Sequence, residues 1–304
     1  MAEISVGDAV GAGFSLVRRR PGSVLLWGSV QTAVFGLTFA LLMPMYAVLF
    51  AQAANAKLGA PPSAPDMAAI LPYQMLSYLL NFGSVFVAAV LHCAIFRSII
   101  HPDRSSFASL RLGTTELLFA LLTIGAGIAF AVAVLIVMVP AAIVIGVLVA
   151  VHAGAVAVIV GIALGAAVIW AMVYALLRLS MVGPMMVEDG QVHVTDAWTL
   201  TKGKVGSLFL VGLCLFAVAI VAEVILLVVM GGIGFSALSV IAGGAQAIPA
   251  LFKHPFAEVL SSLTPLIAVG GLMAIPVYGA FLAIMGAPWA RAYLDLRHNP
   301  ADAF

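Results

Sequence analysis

Charged residues are scarce in this chain. Only 8% of its 304 residues are Asp, Glu, Lys or Arg and 64% are hydrophobic, whereas an ordinary soluble domain has about 25% charged residues. A water-soluble fold of this size has no way to bury so much apolar surface, and these residues leave no room for a separate soluble catalytic domain. The formal net charge of +1 provides no overall field to attract nucleic acid, so we expect no nucleic-acid partner.

Cysteine and the common catalytic motifs are also nearly absent. Cys93 and Cys214 lie in apolar runs, where a thiol behaves as a small hydrophobic side chain, and no C-x-x-C pair indicates a disulfide or a zinc site. The six histidines have no metal-binding spacing, and no phosphate-binding or dinucleotide-binding glycine pattern occurs. We therefore expect no enzyme activity, no cofactor and no metal site.

Long apolar runs dominate the rest of the sequence. Their length fits membrane spans, which need about 20 apolar residues. Their continuous hydrophobicity favours helices, because a span in lipid must satisfy its own backbone hydrogen bonds. We predict an all-α, polytopic membrane bundle that forms a single transmembrane domain over residues 1–304. The six predicted spans lie near 24–50, 72–98, 116–150, 154–183, 207–230 and 264–290.

The distribution of basic residues predicts the orientation. Eleven of the 13 Lys and Arg residues fall on one side of the predicted membrane, and only Lys57 and Lys253 fall on the other. Cytoplasmic loops are the ones enriched in Lys and Arg. The bias therefore predicts that both termini lie in the cytoplasm and that the number of spans is even.

Two regions have unusual lengths or composition. The third run would form a helix longer than about 50 Å, beyond the roughly 30 Å hydrocarbon core, so Pro140 is expected either to kink it or to mark its emergence. His152 to Gly154 marks the break before the fourth span. Segment 231–262 is too polar for a span and too apolar for a solvated loop. Short interfacial helices or a re-entrant pair are expected there.

Arginines close the even-numbered spans, and short amphipathic stretches precede the odd-numbered ones. The closing residues are Arg97, Arg178 and Arg291. This pattern suggests three helical-hairpin repeats with amphipathic cytoplasmic segments.

The cytoplasmic stretch 194–203 reads as a short interfacial helix. Thr195 or Asp196 is expected near its N-cap and Gly203 at its end. Trp198 is expected at the level of the lipid headgroups.

The segment 178–206, RLSMVGPMMVEDGQVHVTDAWTLTKGKVG, resembles an intracellular loop shared by a broad group of bacterial membrane proteins. That group includes the membrane domain attached to some glycerophosphodiester phosphodiesterases. The resembling features are Arg178, 184–188, Ala197, 200–203 and the closing segment 291–297, RAYLDLR. The phosphodiesterase chemistry of such fusion proteins belongs to a soluble domain that these residues do not contain. The resemblance implies a multi-pass protein of the bacterial inner (plasma) membrane, and a fold rather than that activity.

Two polar residues lie inside apolar runs and form a candidate intramembrane site. Glu223 lies inside the fifth run, where a carboxylate costs about 2.5–3.5 kcal/mol on insertion scales. It is therefore expected to be protonated, paired or facing a cavity, either as a proton- or ligand-binding position or as a hydrogen-bonded structural group. His92 either titrates near neutral pH or hydrogen-bonds a backbone carbonyl or interfacial water.

The closing arginines form a second candidate site. Arg97, Arg178 and Arg291 together would make a basic rim for lipid phosphate or an anionic ligand, since a guanidinium binds phosphate bidentately. The alternative is that each arginine extends to the headgroups and only fixes orientation.

These features favour a non-enzymatic membrane protein that interacts with lipids or serves as a scaffold in the cell envelope. The main alternative is a small-solute or proton-coupled transporter that uses Glu223. A membrane enzyme acting on lipid is disfavoured because acids, histidines and metal ligands are not clustered. Membrane lipids are the expected partners, and the cytoplasmic segment 188–206 is a possible docking site for a protein. The sequence does not indicate an oligomeric state.

Overall fold

The computed structural model describes residues 4–55, 67–104, 107–244 and 255–297. Within those ranges the chain is helical and contains no strand, which confirms the predicted all-α class. Two short 3-10 turns, Pro102–Arg104 and Phe107–Ser109, connect the third and fourth helices. Numbered in chain order, the α-helices are α1 Val6–Arg19, α2 Pro21–Asn55, α3 Met67–Ile100, α4 Thr114–Ala150, α5 Gly154–Leu179, α6 Val182–Asp189, α7 Val194–Leu200, α8 Val205–Ala242 and α9 Phe256–Arg297.

In the described part of the chain, six helical segments are long and apolar enough to cross a membrane. They are α2, α3, α4, α5 together with α6, α8 and α9. The protein is thus a multi-pass membrane protein with the predicted six spans. Pro44, Pro72 and Pro140 all lie inside these helices, as is tolerated where the backbone must stay hydrogen-bonded in lipid.

The connection between α4 and α5 lies where the polar residues predict it. α4 continues past Pro140 as one helix of 37 residues and ends at Ala150. His152 adopts a left-handed backbone with φ of 61°, and α5 begins at Gly154. A helix of this length measures about 55 Å and extends well past a bilayer core if it stands upright.

The prediction of separate interfacial helices or a re-entrant pair over 231–262 is wrong for the described part of that segment. α8 continues without a break to Ala242, and α9 begins at Phe256. Residues 245–254 lie outside the described ranges. The glycines of this segment alternate with apolar residues such as Phe235 and Val240. Each glycine costs a helix only about 1 kcal/mol, which is less than unsatisfied backbone groups would cost in lipid.

Two compact units make up the chain, and neither is a continuous stretch of sequence. The first comprises Met1–Gly13, Ala88–Gly212 and Gly286–Phe304. Its core contains the buried residues Cys93, Phe96, Val187 and Ala290, with Phe119 and Trp289 packed against them. This core joins the last turns of α3, the start of α4, α6 and the end of α9. The single domain predicted over 1–304 stays a prediction, as do the hairpin repeats.

The second unit comprises Phe14–Val87 and Leu213–Met285. Within it α2 and α9 touch through their backbones. A Cβ atom added to Gly28 would overlap the carbonyl of Ile275, and one added to Gly279 would overlap the carbonyl of Val24. Small residues allow this close approach, which is a common way to pack helices in lipid.

Candidate functional site

All three arginines of the predicted rim belong to the first unit. Arg97 and Arg178 lie in the last turns of α3 and α5, and Arg291 lies within the last two turns of α9. Their surroundings differ, and the difference decides which of them is open to a ligand.

Arg97 is neutralised by a buried carboxylate. Its guanidinium donates hydrogen bonds to Glu116 Oε1 and, at 2.6 Å, to the carbonyl oxygen of Ser109. The side chains of Arg97 and Glu116 are 12% and 2% exposed. Because Ser109 precedes α4 and Glu116 lies in its first turn, the pair fastens the α3–α4 connection. A bound anion would have to compete with Glu116, so Arg97 is a structural group.

Two arginines near the end of α9 are also paired with acids. Arg291 Nε lies 3.3 Å from Asp295 Oδ1, one helical turn further on, and its side chain is 45% exposed. Arg297 donates to Glu188 Oε1, and the hydroxyl of Tyr293 donates to Glu188 Oε2. Glu188 therefore ties α6 to the end of α9.

Arg178 has no acidic partner among the residues that the structure describes. The residue is only 6% exposed, and its Nε is buried without a hydrogen-bond partner. The guanidinium carbon instead lies 4.6 Å from the ring centroid of Trp198 and 5.8 Å from that of Tyr174. Both distances suit cation–π contacts, which are worth about 0.5–2 kcal/mol. The two rings stand edge to face, 6.1 Å apart.

The helix α7 is held against the end of α5 by a buried hydroxyl. The side chain of Thr201 lies 2.8 Å from the carbonyl of Ala197 and 3.2 Å from that of Arg178. It thereby satisfies a carbonyl that the end of α5 leaves open. Gly203 has φ of 75°, as expected of a residue that ends a helix. These contacts place Trp198 over Arg178.

The N-terminus of α7 differs from the prediction. The helix begins at Val194, its N-cap residue is His193 and no side chain caps it, while Asp196 lies in its first turn. His193 Nδ1 lies 2.8 Å from Asp196 Oδ2, and its Nε2 lies 2.6 Å from Asp189 Oδ2. These hydrogen bonds, first that of Asp196 and then that of Asp189, raise the pKa of His193. The imidazole therefore links α6 to α7 through two carboxylates.

Glu223 and His92, the predicted intramembrane polar pair, belong to different units. His92 Nδ1 lies 2.7 Å from the carbonyl oxygen of Ala88, one turn earlier in the same helix. Glu223 is exposed on the surface of α8 in the second unit. The candidate role of these two residues stays a prediction.

Comparisons with known proteins add no family to this picture. No protein-family model, curated protein or solved structure matches the chain. The resemblance to the membrane domain of glycerophosphodiester phosphodiesterases therefore stays a prediction. Among the described residues, no group of three or more His, Cys, Asp or Glu side chains is placed to hold a metal.

Sequence reasoning missed the residues that distinguish the three arginines. Glu116, Tyr174 and Trp198 lie 19, 4 and 20 positions from the arginines that they contact. Only Tyr174 carries a local signal, since residues four apart share a helix face. The other two contacts depend on tertiary packing. What the packing leaves chemically open is a buried guanidinium with unused hydrogen-bond capacity, covered by two aromatic rings.

Proposed function

We propose that this protein is a non-enzymatic, lipid-interacting component of the bacterial inner membrane, and that Arg178 binds the phosphate of an anionic lipid headgroup. The observation that carries the proposal is the buried guanidinium of Arg178, which has no acidic partner among the described residues. A buried charge without a counterion costs several kcal/mol. Cation–π contacts offset only part of that cost and leave the Nε donor unused.

The position of Arg178 favours a lipid as the source of the anion. The residue lies in the last turn of the apolar helix α5, and lipid phosphates are expected near the ends of such helices. Tyr174 and Trp198 cover it, and they are themselves 38% and 39% exposed. Aromatic side chains with a polar group are typical of the membrane interface. A small displacement of either ring would open the guanidinium to a phosphate, which it binds through paired hydrogen bonds.

The orientation is part of the same proposal. The excess of Lys and Arg at this end of the spans favours a cytoplasmic location, and the cytoplasmic leaflet holds the anionic lipids that such residues attract. Lys202 is exposed directly after α7 and adds positive charge beside Arg178. Both termini would then lie in the cytoplasm.

Lipid retention tests the proposal. Wild-type protein, Arg178→Met and Arg291→Met are purified in mild detergent with phosphatidylglycerol, and bound lipid is counted by native mass spectrometry. Arg291→Met is the matched control, because it removes one arginine that is exposed and paired with Asp295. We expect retained phosphatidylglycerol to fall by about tenfold in Arg178→Met, the loss of one charge-assisted phosphate contact, and to persist in the control. Equal retention in both variants would contradict the proposal.

A second measurement guards against misfolding of Arg178→Met. Arg178→Lys keeps the charge but loses the planar fork that pairs with phosphate. Added phosphatidylglycerol should raise the melting temperature of the wild type more than that of Arg178→Lys, since a ligand stabilises the state that it binds. Phosphatidylcholine and inorganic phosphate serve as controls. A rise with inorganic phosphate alone would indicate a soluble anion in place of a lipid.

The alternatives have less support from the described residues. For the transporter, Glu223 is exposed on the outside of α8 instead of lining an enclosed path. For protein docking on 188–206, part of the segment is occupied within the chain, because Glu188 binds Tyr293 and Arg297. The rest of segment 188–206, between α6 and α7, is exposed and leaves room for a soluble partner. It has no feature that identifies such a partner.

A further inference from the structure

Residue counting along α8 puts Glu223 at the depth expected for the middle of a bilayer. The level of the interface along α8 is given by Gly212, where an added Cβ would lie 3.8 Å from both Leu177 and Trp289. These two side chains come one and two positions before Arg178 and Arg291. Glu223 is eleven residues further along α8, or about 16 Å at 1.5 Å per residue. Half of a hydrocarbon core is about 15 Å.

Glu223 lies on an exposed stripe of α8. At about 100° per residue, Glu223 shares its stripe with Phe216 and Leu227, which are 61% and 74% exposed. No described residue donates or accepts a hydrogen bond with the Glu223 side chain. In a single chain this carboxyl would face acyl chains, where it costs about 2.5–3.5 kcal/mol on insertion scales.

We propose that a second copy of this chain covers Glu223, and that the two protonated Glu223 side chains hydrogen-bond each other across a two-fold axis. A two-fold axis brings equivalent residues together, so the dimer itself supplies the missing partner. A protonated carboxyl is both donor and acceptor, and two of them form a closed pair without burying any charge. The proposal goes beyond lipid binding at Arg178 and does not depend on it.

The chain favours this occupant over a basic partner helix. Its only Lys and Arg residues between 24 and 96 and between 205 and 290 are Lys57 and Lys253, so a second copy brings an acid and no cation to this depth. If Glu223 instead formed an ion pair with a Lys or Arg of another protein, the attraction between the two charges would have to offset the free-energy cost of desolvating both. Little of α8 is buried within the single chain: the buried share is 11% in an apolar 18-residue window of its span. Gly231, one turn beyond Leu227, has no neighbour within 4 Å of an added Cβ and permits close approach.

Cross-linking in reconstituted vesicles tests the interface, and the chain contains its own control. Cys214 is exposed on α8 and lies nine residues before Glu223, about 180° around the helix. Oxidation should therefore give little dimer from the native Cys214. In a Cys214→Ser background, Leu227→Cys places a thiol beside Glu223 and should give disulfide-linked dimers. Equal cross-linking at both positions would mean random collision and would overturn the proposal.

Variants of Glu223 then test the hydrogen-bonded pair. Dimerisation is measured by energy transfer between labelled copies at decreasing protein-to-lipid ratios. Glu223→Leu should weaken it by about tenfold, the worth of interhelical hydrogen bonds in lipid, and should leave the melting temperature of the diluted single chain unchanged. Glu223→Gln should dimerise nearly as well as the wild type, because two amides also pair reciprocally. Undiminished dimerisation of Glu223→Leu, or equal loss in both variants, would overturn the proposal. Loss of phosphatidylglycerol binding in Arg178→Met would not affect either result.

Discussion

Glu116 neutralises Arg97, and both side chains are largely out of water. Removing one member of such a pair leaves the other as a buried charge, which costs about 3–5 kcal/mol. We expect Glu116→Gln to destabilise the protein by about that amount, although the carbonyl of Ser109 still binds Arg97. The measurement is the melting temperature in detergent, compared with wild type.

A double variant separates the pair from the individual residues. In Arg97→Met with Glu116→Leu, both charges are gone, and apolar side chains of similar volume restore much of the lost stability. The matched control is Arg291→Gln, since a pair as exposed as Arg291–Asp295 contributes no more than about 1 kcal/mol. If Glu116→Gln has the same melting temperature as Arg291→Gln, the carboxylate of Glu116 has no structural role.

At the scale of elements, α2 and α9 approach each other closely in the second unit. Gly28 and Gly279 each face a backbone carbonyl of the other helix, with no room for a methyl group. Gly28→Ala and Gly279→Ala should each force the helices apart and cost about 1–3 kcal/mol, as overpacked contacts do. The loss is measured as a lower melting temperature or as faster proteolysis of the purified protein.

Other glycines in the same helices provide matched controls. Gly36 in α2 and Gly271 in α9 have no atom within 4 Å of an added Cβ. Gly36→Ala and Gly271→Ala should be neutral or slightly stabilising, because alanine favours a helix by about 1 kcal/mol relative to glycine. If Gly28→Ala and Gly36→Ala changed the melting temperature equally, helix propensity and not the contact between α2 and α9 would determine the effect of these substitutions.

The sequence predicted the elements better than their contacts. Long apolar runs define the spans, because an isolated segment in lipid can satisfy its backbone hydrogen bonds only as a helix. The same requirement carries α8 through Gly231 and Gly232, where composition alone pointed to a break. The basic rim was predicted from three arginines that each close an even-numbered span, and the structure shows three different surroundings for them. The pairing of Arg97 with Glu116 and the stacking of Arg178 against Trp198 bring together residues that are distant in sequence and meet only when the helices pack. Hydrophobic periodicity carries no information about such contacts.

At the scale of the whole molecule, the polar contacts that surround the three rim arginines lie in the first unit. The ion pairs of Arg97 and Arg297 lie there, as do the hydrogen bonds of His193 and the stacked Arg178. The second unit offers the exposed acid Glu223 and the glycine contact between α2 and α9. Lipid binding and self-association would thus use separate surfaces, and a variant in one need not disturb the other.

The orientation of the molecule decides which leaflet could supply a phosphate to Arg178. Two exposed positions report on opposite sides: Gln191 between α6 and α7, and His152 between α4 and α5. In intact cells of a bacterial host, a membrane-impermeant maleimide should label His152→Cys and should label Gln191→Cys only after permeabilisation. The reason is the excess of Lys and Arg at the Arg178 end of the spans. Labelling of Gln191→Cys in intact cells would place Arg178 at the outer leaflet, where the electrostatic argument for an anionic lipid no longer holds.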